Sequence, residues 1–554
     1  MHKTLPPMNF CIAILLTIFR TVIIPIQFQE REFTCSEQDI RSTISSAESY
    51  LDTQFRGTIT FNIDLAPTVT LDHPASYYGR NGELEHDYLI HEALISACKA
   101  SSDTDFSLYD NDSDGAVDVV ILLAAGLSEA DGAGEDEIWP SYKFLENRAL
   151  PLILNGKRIN AFAVTTELKS TYGLNPRPNG PGDICHEICH VFNLPDFYDV
   201  DDIASGGKSA ALWKTTSIMD EGNRNNDGNT PPNFNAIEME ILGLGECVEL
   251  KKGNYVLEPL DKSGLYLKTT GGSEDDYILV EYRRKSGWDE YIGGEGLLAY
   301  HINKTKPTYY QKWVDNTINI DPAHQGAEII VASAHPQSAK DVFFPQKGIK
   351  ALSLGLQGVD LALMDINLTG DGSVSFRVIE PYSNIQVSSF QDAAILQWET
   401  VPDVGGTASF KLEWTDGYDS NGSLEGGKAS SATMEGLQPH TDYGYILSIF
   451  NDNQEAFYHK GSFTTRNRMA GVPPYINLSG AERNEDGSFV RGTGVPLRVN
   501  NLLPGTTVKW YMNGVPVTAG ADGRYSLRAN GTLKAVLTLP DDTEEIIIKE
   551  IVLR

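Results

Sequence analysis

The spacing of apolar positions changes along the chain and divides it into regions. Apolar residues recur every three to four positions over Ser42 to Tyr50 and Tyr88 to Ala100, which predicts two helices. Val117 to Ala124 is instead a nearly unbroken apolar run, the pattern of a strand buried on both faces. Helices mixed with buried strands from about Ser36 to Leu250 predict an α/β unit. From Tyr255 to Ile379 the helical rhythm fades, and short β-rich runs such as Tyr277 to Tyr282 and Gly296 to Ile302 alternate with Gly and Asp turns. Beyond Glu380 strands recur at the close spacing of small sandwiches: Ala394 to Glu399, Ser409 to Trp414 and Tyr443 to Phe450. After a polar linker, Arg466 to Gly471, a second set includes Thr507 to Met512 and Leu533 to Leu539. The expected order is an α/β unit over 36–250, a β-rich domain over 251–379, and two β-sandwiches over 380–466 and 472–554.

The N-terminus has its own pattern. His2 and Lys3 lead into an apolar run from Phe10 to Phe19, Arg20 interrupts it, and Thr21 to Ile26 continues it. The run is too short to cross a bilayer comfortably, so residues 1–27 are expected to be an export signal, with a retained anchor as the alternative. Either places the protein outside the cell or on its surface.

Composition narrows the function classes. The chain has 554 residues, more than one core usually supports. With 75 Asp+Glu against 44 Lys+Arg its formal charge is -31, which repels nucleic acid and anionic membranes and excludes nucleic acid as an expected partner. Six cysteines in so long a chain do not make a disulfide scaffold, and once Cys11 is set aside with the signal the remainder is odd.

The chemistry concentrates between Pro181 and Asp196. Asp183 is the expected N-cap of a helix, Asn193 its left-handed C-terminal cap, and Pro195 prevents continuation. Ile184, Ile188, Val191 and Phe192 fall on one stripe, while His186 and His190, one turn apart, converge on the other side. A catalytic zinc takes three protein ligands and a water, and His-Glu-x-x-His supplies two of them. Glu187 is turned about 100° around the helix, beside the metal and not on it, where it serves as general base toward the attacking water. If Asn193 adopts positive φ, the chain turns sharply and brings Asp196 in as third ligand; Glu238 is the more distant alternative. Cys185 and Cys189 are expected to face the core as small hydrophobes, and His301 to be a packed or hydrogen-bonded histidine.

A second metal candidate lies upstream. Asp110, Asp112 and Asp114 alternate, Gly115 follows and Asp118 comes ninth, hard oxygen donors suited to calcium, although Ile121 in the twelfth position excludes a full EF-hand.

The stretch from His186 to Asp199, together with Tyr109 to Gly115 and Ile138-Trp139-Pro140, resembles peptidase family M6, the immune inhibitor A type metalloproteases, a branch similar to the metzincins. Ser217-Ile218-Met219-Asp220 looks like the segment that carries the Met-turn, and Gly296 to Ile302 is also family-like. The resemblance covers about residues 45 to 380. It implies a metzincin-like α/β zinc protease domain, extracellular proteolysis of protein substrates, zinc on His186, His190 and Asp196, and Met219 as a hydrophobic floor beneath the metal. Asn193 stands where relatives carry glycine. Relatives also carry a propeptide and an opening strand, for which too little chain remains between an export signal and Ser42. Leu437 to Tyr443 resembles the loop and tyrosine of a fibronectin type III domain, and the last set of strands resembles immunoglobulin-like modules. These accessory sandwiches are expected to bind substrate, matrix or cell-surface ligands. The competing expectations are an adhesin built on a degenerate protease scaffold, and an aminopeptidase-like zincin with a Glu ligand from a later helix.

Overall fold

The computed structural model describes residues 17–554 apart from 81–82, 145–151, 160, 202–203, 206–213, 323, 331–341, 346–350, 355–360, 401–407, 418–419, 452–453, 467–472, 479–480, 485, 503–504, 521–523 and 540–542. The interdomain linker expected at Arg466 to Gly471 therefore falls almost wholly outside the described residues, as do the first residues of the expected export signal. The chain divides into two compact units, one made of 1–331, 337–350 and 365–376, the other of 332–336, 351–364 and 377–554.

The first unit is built on a mixed sheet. Its strands run in the order Ile59–Leu65, Thr17–Gln27, Val120–Ala124, Ala161–Thr166 and Ser141–Phe144, and Val69–Thr70 joins the end of the second. The first four are mutually parallel, with Val22 beside Val120 and Ile121 beside Ala163, and the fifth is an antiparallel edge. Alternation along Thr17–Gln27 sends Phe19 and Ile23 to one face, against Ile40, Ile44 and Leu51 of the helix Glu37–Gln54 and against Ile184 and Ile188. Val22, Ile24 and Ile26 go to the other face, against Leu89, Ile90 and Leu94 of the helix Glu83–Ala100. Layers on both faces make this an α/β unit, as the apolar rhythm predicts.

Thr17–Gln27 corrects the export-signal reading of residues 1–27. The segment is a central strand, and Ile23, Ile24 and Ile26 are fully buried. A strand covered by helices on both faces has no polar side to show, so its sequence is as continuously apolar as a leader's. It is also the opening strand for which no room was expected. Ser36 caps the following helix in a reciprocal capping box with Asp39, so the α/β unit begins at the strand and not at residue 36.

The β-rich continuation of the first unit is a five-stranded sheet ordered Glu246–Glu249, Leu265–Ser273, Asp276–Arg283, Gly296–Asn303 and Ala327–Ile329. Tyr277, Leu279, Leu298, Tyr300 and Ile329 from this sheet share one hydrophobic core with Ile184, Met219 and Ile237. The expected boundary near residue 250 thus runs through a common core. Arg283, fully buried, pairs with Asp289 and Glu281, and Glu281 receives the Ala236 amide, tying the sheet to the helix Ala236–Leu242.

In the second unit, a three-stranded sheet (Tyr382–Ser389, Ala393–Thr400, Ser431–Glu435) and a four-stranded sheet (Asn421–Gly426, Ala408–Thr415, Asp442–Asn451, Gln454–Thr464) share a core that includes Leu396, Trp398, Leu412, Met434 and Leu447. The Tyr443 hydroxyl accepts the Gln438 N–H at 2.9 Å. A further array centres on Thr507–Met512, Gly531–Thr538 and Glu544–Ile551, around Val495, Leu533, Leu537 and Ile551. Cys35, Cys98, Cys185, Cys189 and Cys247 are all free thiols. No helix among the described residues is long and apolar enough to cross a membrane.

Candidate metal centre

The helix Gly182–Val191 carries the His-Glu-x-x-His segment, and it is buried almost all round. Ile184, Cys185, Ile188 and Cys189 lie in the core with no side-chain exposure above 3%. Burial pushes both thiols well up, so they pack as small hydrophobes, as expected. Phe192, at the helix end, joins Phe19, Phe55 and Phe61 in an aromatic cluster.

The start of the helix differs from expectation. Pro181 is the N-cap residue and Asp183 sits inside the first turn, so Asp183 does not cap. Its carboxylate instead accepts from Asn179 Nδ2 (2.8 Å) and Asn223 Nδ2 (3.0 Å), with Lys169 Nζ 3.9 Å away. Gly182 lets this happen, because a Cβ there would fall 1.8 Å from the Asn223 carbonyl oxygen. At the other end Asn193 adopts φ +62°, the left-handed turn that reverses the chain toward Asp196.

The turn brings three ligand-type side chains together. Asp196 Oδ1 lies 3.2 Å from His186 Nε2 and 3.4 Å from His190 Nε2. Zinc bound at 2.0–2.2 Å in a tetrahedron separates its ligand atoms by about 3.3–3.5 Å, so the observed spacings fit one ion touching all three. The remaining valences point the same way. His186 Nδ1–H donates to the Ile218 carbonyl and His190 Nδ1–H to the Leu194 carbonyl, both at 2.8 Å, which leaves both Nε2 lone pairs facing inward. Asp196 Oδ2 accepts from Asn316 Nδ2, while Oδ1 is buried without a hydrogen bond, as is Glu187 Oε2. A buried carboxylate oxygen with no donor is costly unless something else fills its coordination. The donor set and its open positions therefore fit a divalent cation.

Charge at the centre is strongly coupled. Burial favours neutral His186, but the adjoining Asp196 and Glu187 carboxylates outweigh it and push the metal-free imidazole up to about 9, so that a proton and a cation compete for the same Nε2 lone pair beside Asp196 Oδ1. Burial pushes Glu187 up to about 7 against the pull of both imidazoles. Burial would raise Asp196 as well, yet His190 and His186 hold it well below the ordinary carboxylate range.

Met219 is fully buried in the core that holds the helix. The amides of Asp220 and Gly222 both donate to the Ser217 carbonyl, closing a tight turn that presents the Ile218 carbonyl to His186. Glu238 is not part of the metal group. It closes a capping box with Asn235 and accepts from Ser217 Oγ at 2.5 Å, so it braces that turn from behind. Tyr142, on the edge strand Ser141–Phe144, lies with its ring 5.7 Å from that of His190. Sequence reasoning missed Asn316 and Asn223, which belong to no local motif, and the bond that joins Ser217 of the Met-turn-like segment to Glu238, 21 positions away.

The acidic loop is assembled in part. Asp110, Asp112 and Asp114 bring ligand oxygens within 4.8 Å of one another. Asp118 is turned aside, its Oδ2 accepting both N–H groups that Asn111 offers at 2.8 Å. Lys157 pairs with Asp110 Oδ2, while Asp110 Oδ1 is buried without a partner. His301 hydrogen-bonds Asp276 at 2.7 Å and stands outside both metal groups.

The model of the immune inhibitor A peptidase M6 catalytic domain matches residues 25–243, which supports a metallopeptidase with protein substrates. No curated protein gives a significant match to the chain. Among solved structures, the chain is similar over short stretches to the fn3 domain of human collagen alpha-1(XX) chain, at 21% identity, 17% of this chain, 86% of that one and a TM-score of 0.15. It is likewise similar to the FN5 domain of Drosophila Lar, at 9% identity, 16% of this chain, 95% of that one and a TM-score of 0.13. Neither likeness is close enough to carry an argument.

Proposed function

We propose that the protein is a secreted zinc-dependent endopeptidase of metzincin-like architecture, acting on extracellular proteins. The observation that carries this reading is the convergence of His186 Nε2, His190 Nε2 and the hydrogen-bond-free Asp196 Oδ1 at tetrahedral spacing. When bound, zinc supplies Lewis acidity, making a water acidic near neutral pH and polarising the scissile carbonyl. The chain's own residues do the rest. The two Nδ1–H groups, held by the Ile218 and Leu194 carbonyls, fix the imidazoles in the tautomer that offers Nε2. Glu187, with one oxygen unclaimed, takes the proton of the attacking water and delivers it to the leaving amine. Met219 forms the apolar floor, fixed through Ser217 and Glu238. The family resemblance supports extracellular action.

Asp110, Asp112 and Asp114 are read as a calcium site, supported by the unpartnered Asp110 oxygen; Asp118 is left out because Asn111 occupies it. The arrays after residue 380 are read as a fibronectin type III-like and an immunoglobulin-like module that engage substrate, matrix or cell-surface ligands. The Tyr443–Gln438 bond supports the first of these.

The test is proteolysis of an unfolded protein substrate by the full chain with zinc, with a chelator, and as Glu187→Ala. Internal cleavage that the chelator and the substitution both abolish is the expected result. Equal cleavage by Glu187→Ala, or none by wild type, would count against the reading, and trimming confined to free N-termini would replace it with an aminopeptidase.

A further inference from the structure

Asp196 is the least constrained of the three candidate ligands by local structure, since it lies past the helix on an irregular stretch. What holds it comes from far along the chain. The Asp196 amide donates to Asn316 Oδ1 at 2.7 Å, and Asn316 Nδ2 donates back to Asp196 Oδ2 at 2.7 Å. One side-chain amide therefore grips both the backbone and the carboxylate of the same residue. The grip leaves a single oxygen, Oδ1, turned to the imidazoles.

The surrounding segment repeats the theme. Asn319, almost fully buried, donates from Nδ2 to the Phe197 carbonyl at 2.9 Å and accepts the Ala327 amide at 3.2 Å, which anchors it to the strand Ala327–Ile329. Trp313 packs edge-on against Phe197 at 6.3 Å, and its indole N–H donates to the Asn303 carbonyl. Asn316 itself takes φ +55°, a conformation open to Asn, Asp and Gly and costly for most other residues. The stretch from Trp313 to Asn319 thus wraps the Asp196-Phe197 dipeptide from outside the residues, 25–243, that match the peptidase domain.

We propose that Asn316 is the positioning residue of the third metal ligand, so that the metal centre is incomplete without the β-rich continuation of the chain. The proposal rests on the reading of His186, His190 and Asp196 as a zinc site. Outer partners that orient a ligating carboxylate typically contribute about 10–100-fold in metal affinity. Asn316 does this by spending one carboxylate oxygen on a hydrogen bond, which leaves Asp196 to act as a one-oxygen ligand.

The experiment uses the full chain in two variants. Asn316→Gly preserves the backbone conformation and removes both hydrogen bonds. Asn316→Asp preserves shape and the acceptor for the Asp196 amide, but turns a carboxylate toward Asp196 Oδ2. Zinc affinity is measured by competition with a chromogenic chelator, and cobalt(II) is substituted to read ligand geometry from its visible absorption. Both variants are expected to bind zinc about 10–100-fold more weakly than wild type and to show a shifted cobalt spectrum. Affinity within twofold of wild type and an unchanged spectrum in either variant would overturn the proposal. A wild-type chain that binds no zinc would instead remove the metal-centre reading beneath it, so the two failures are told apart.

Discussion

The two clusters of metal-ligand side chains in the first unit are equally visible in the sequence and differ in what their atoms are already doing. At His186, His190 and Asp196 every atom not needed for a metal is engaged elsewhere: Nδ1 of each imidazole on a carbonyl, Oδ2 of Asp196 on Asn316. Two lone pairs and one oxygen are left facing one point. In the loop from Asp110 to Asp118 the engagement runs the other way. Lys157 takes Asp110, Asn111 takes Asp118, and the loop's own amides take Asp112 and Asp114. Only Asp110 Oδ1 is idle and buried. A count of ligand-type residues ranks the clusters alike, whereas a count of unspent, inward-facing valences separates them. Such valences identify a coordination site better than residue types do.

Substitutions in each cluster separate the two sites. The largest effect is expected for His186→Ala: loss of zinc from the full chain and of more than about 10⁶-fold in hydrolysis, read by metal analysis and a peptide assay. Zinc retained at wild-type affinity would show that the centre lies elsewhere. Next comes Glu187→Gln, for which a drop of about 10²–10⁴-fold in kcat with zinc content unchanged is expected. In the acidic loop the same logic predicts a gain: Lys157→Met removes the competing cation from Asp110 and strengthens calcium binding about tenfold by calorimetry, near 1.4 kcal/mol. No change would mean that the loop holds no ion.

The smallest effect is a control outside both clusters. Burial opposes protonation of His301, but Asp276 and, more distantly, Glu328 outweigh it and push the imidazole up to about 9. A base raised on folding stabilises the fold below its unfolded value and loses that contribution as pH rises through the folded one. His301→Asn is therefore expected to lower stability by about 1 kcal/mol at pH 6, after allowance for solvent screening, and by nothing near pH 10. Chemical denaturation of the two proteins at both pH values checks this. Zinc affinity is expected to be unchanged.

Local chemistry is what the sequence discloses. The helix around His186 and the left-handed turn at Asn193 follow from periodicity and from the tolerance of Asn for positive φ, and both appear where expected. Strands such as Thr507–Met512 are legible for the same reason, from the alternation of their side chains. Thr17–Gln27 was misread because a short apolar run has the same composition whether it is cleaved as a leader or buried between parallel strands; only its pairing partners, Ile59–Leu65 and Val120–Ala124, decide. Asp183 was misread because an acidic residue after Pro-Gly suits a cap as well as a first turn, and its contacts with Asn179 and Asn223 decide. Asn316 left no trace, since 120 positions separate it from Asp196 and nothing in its own neighbourhood marks it.

The most direct test is anomalous diffraction at the zinc edge from crystals of the full chain grown with zinc. A single strong peak within about 2.0–2.2 Å of His186 Nε2, His190 Nε2 and Asp196 Oδ1 is the predicted result. No peak there, or a zinc bound by other side chains, would contradict the account.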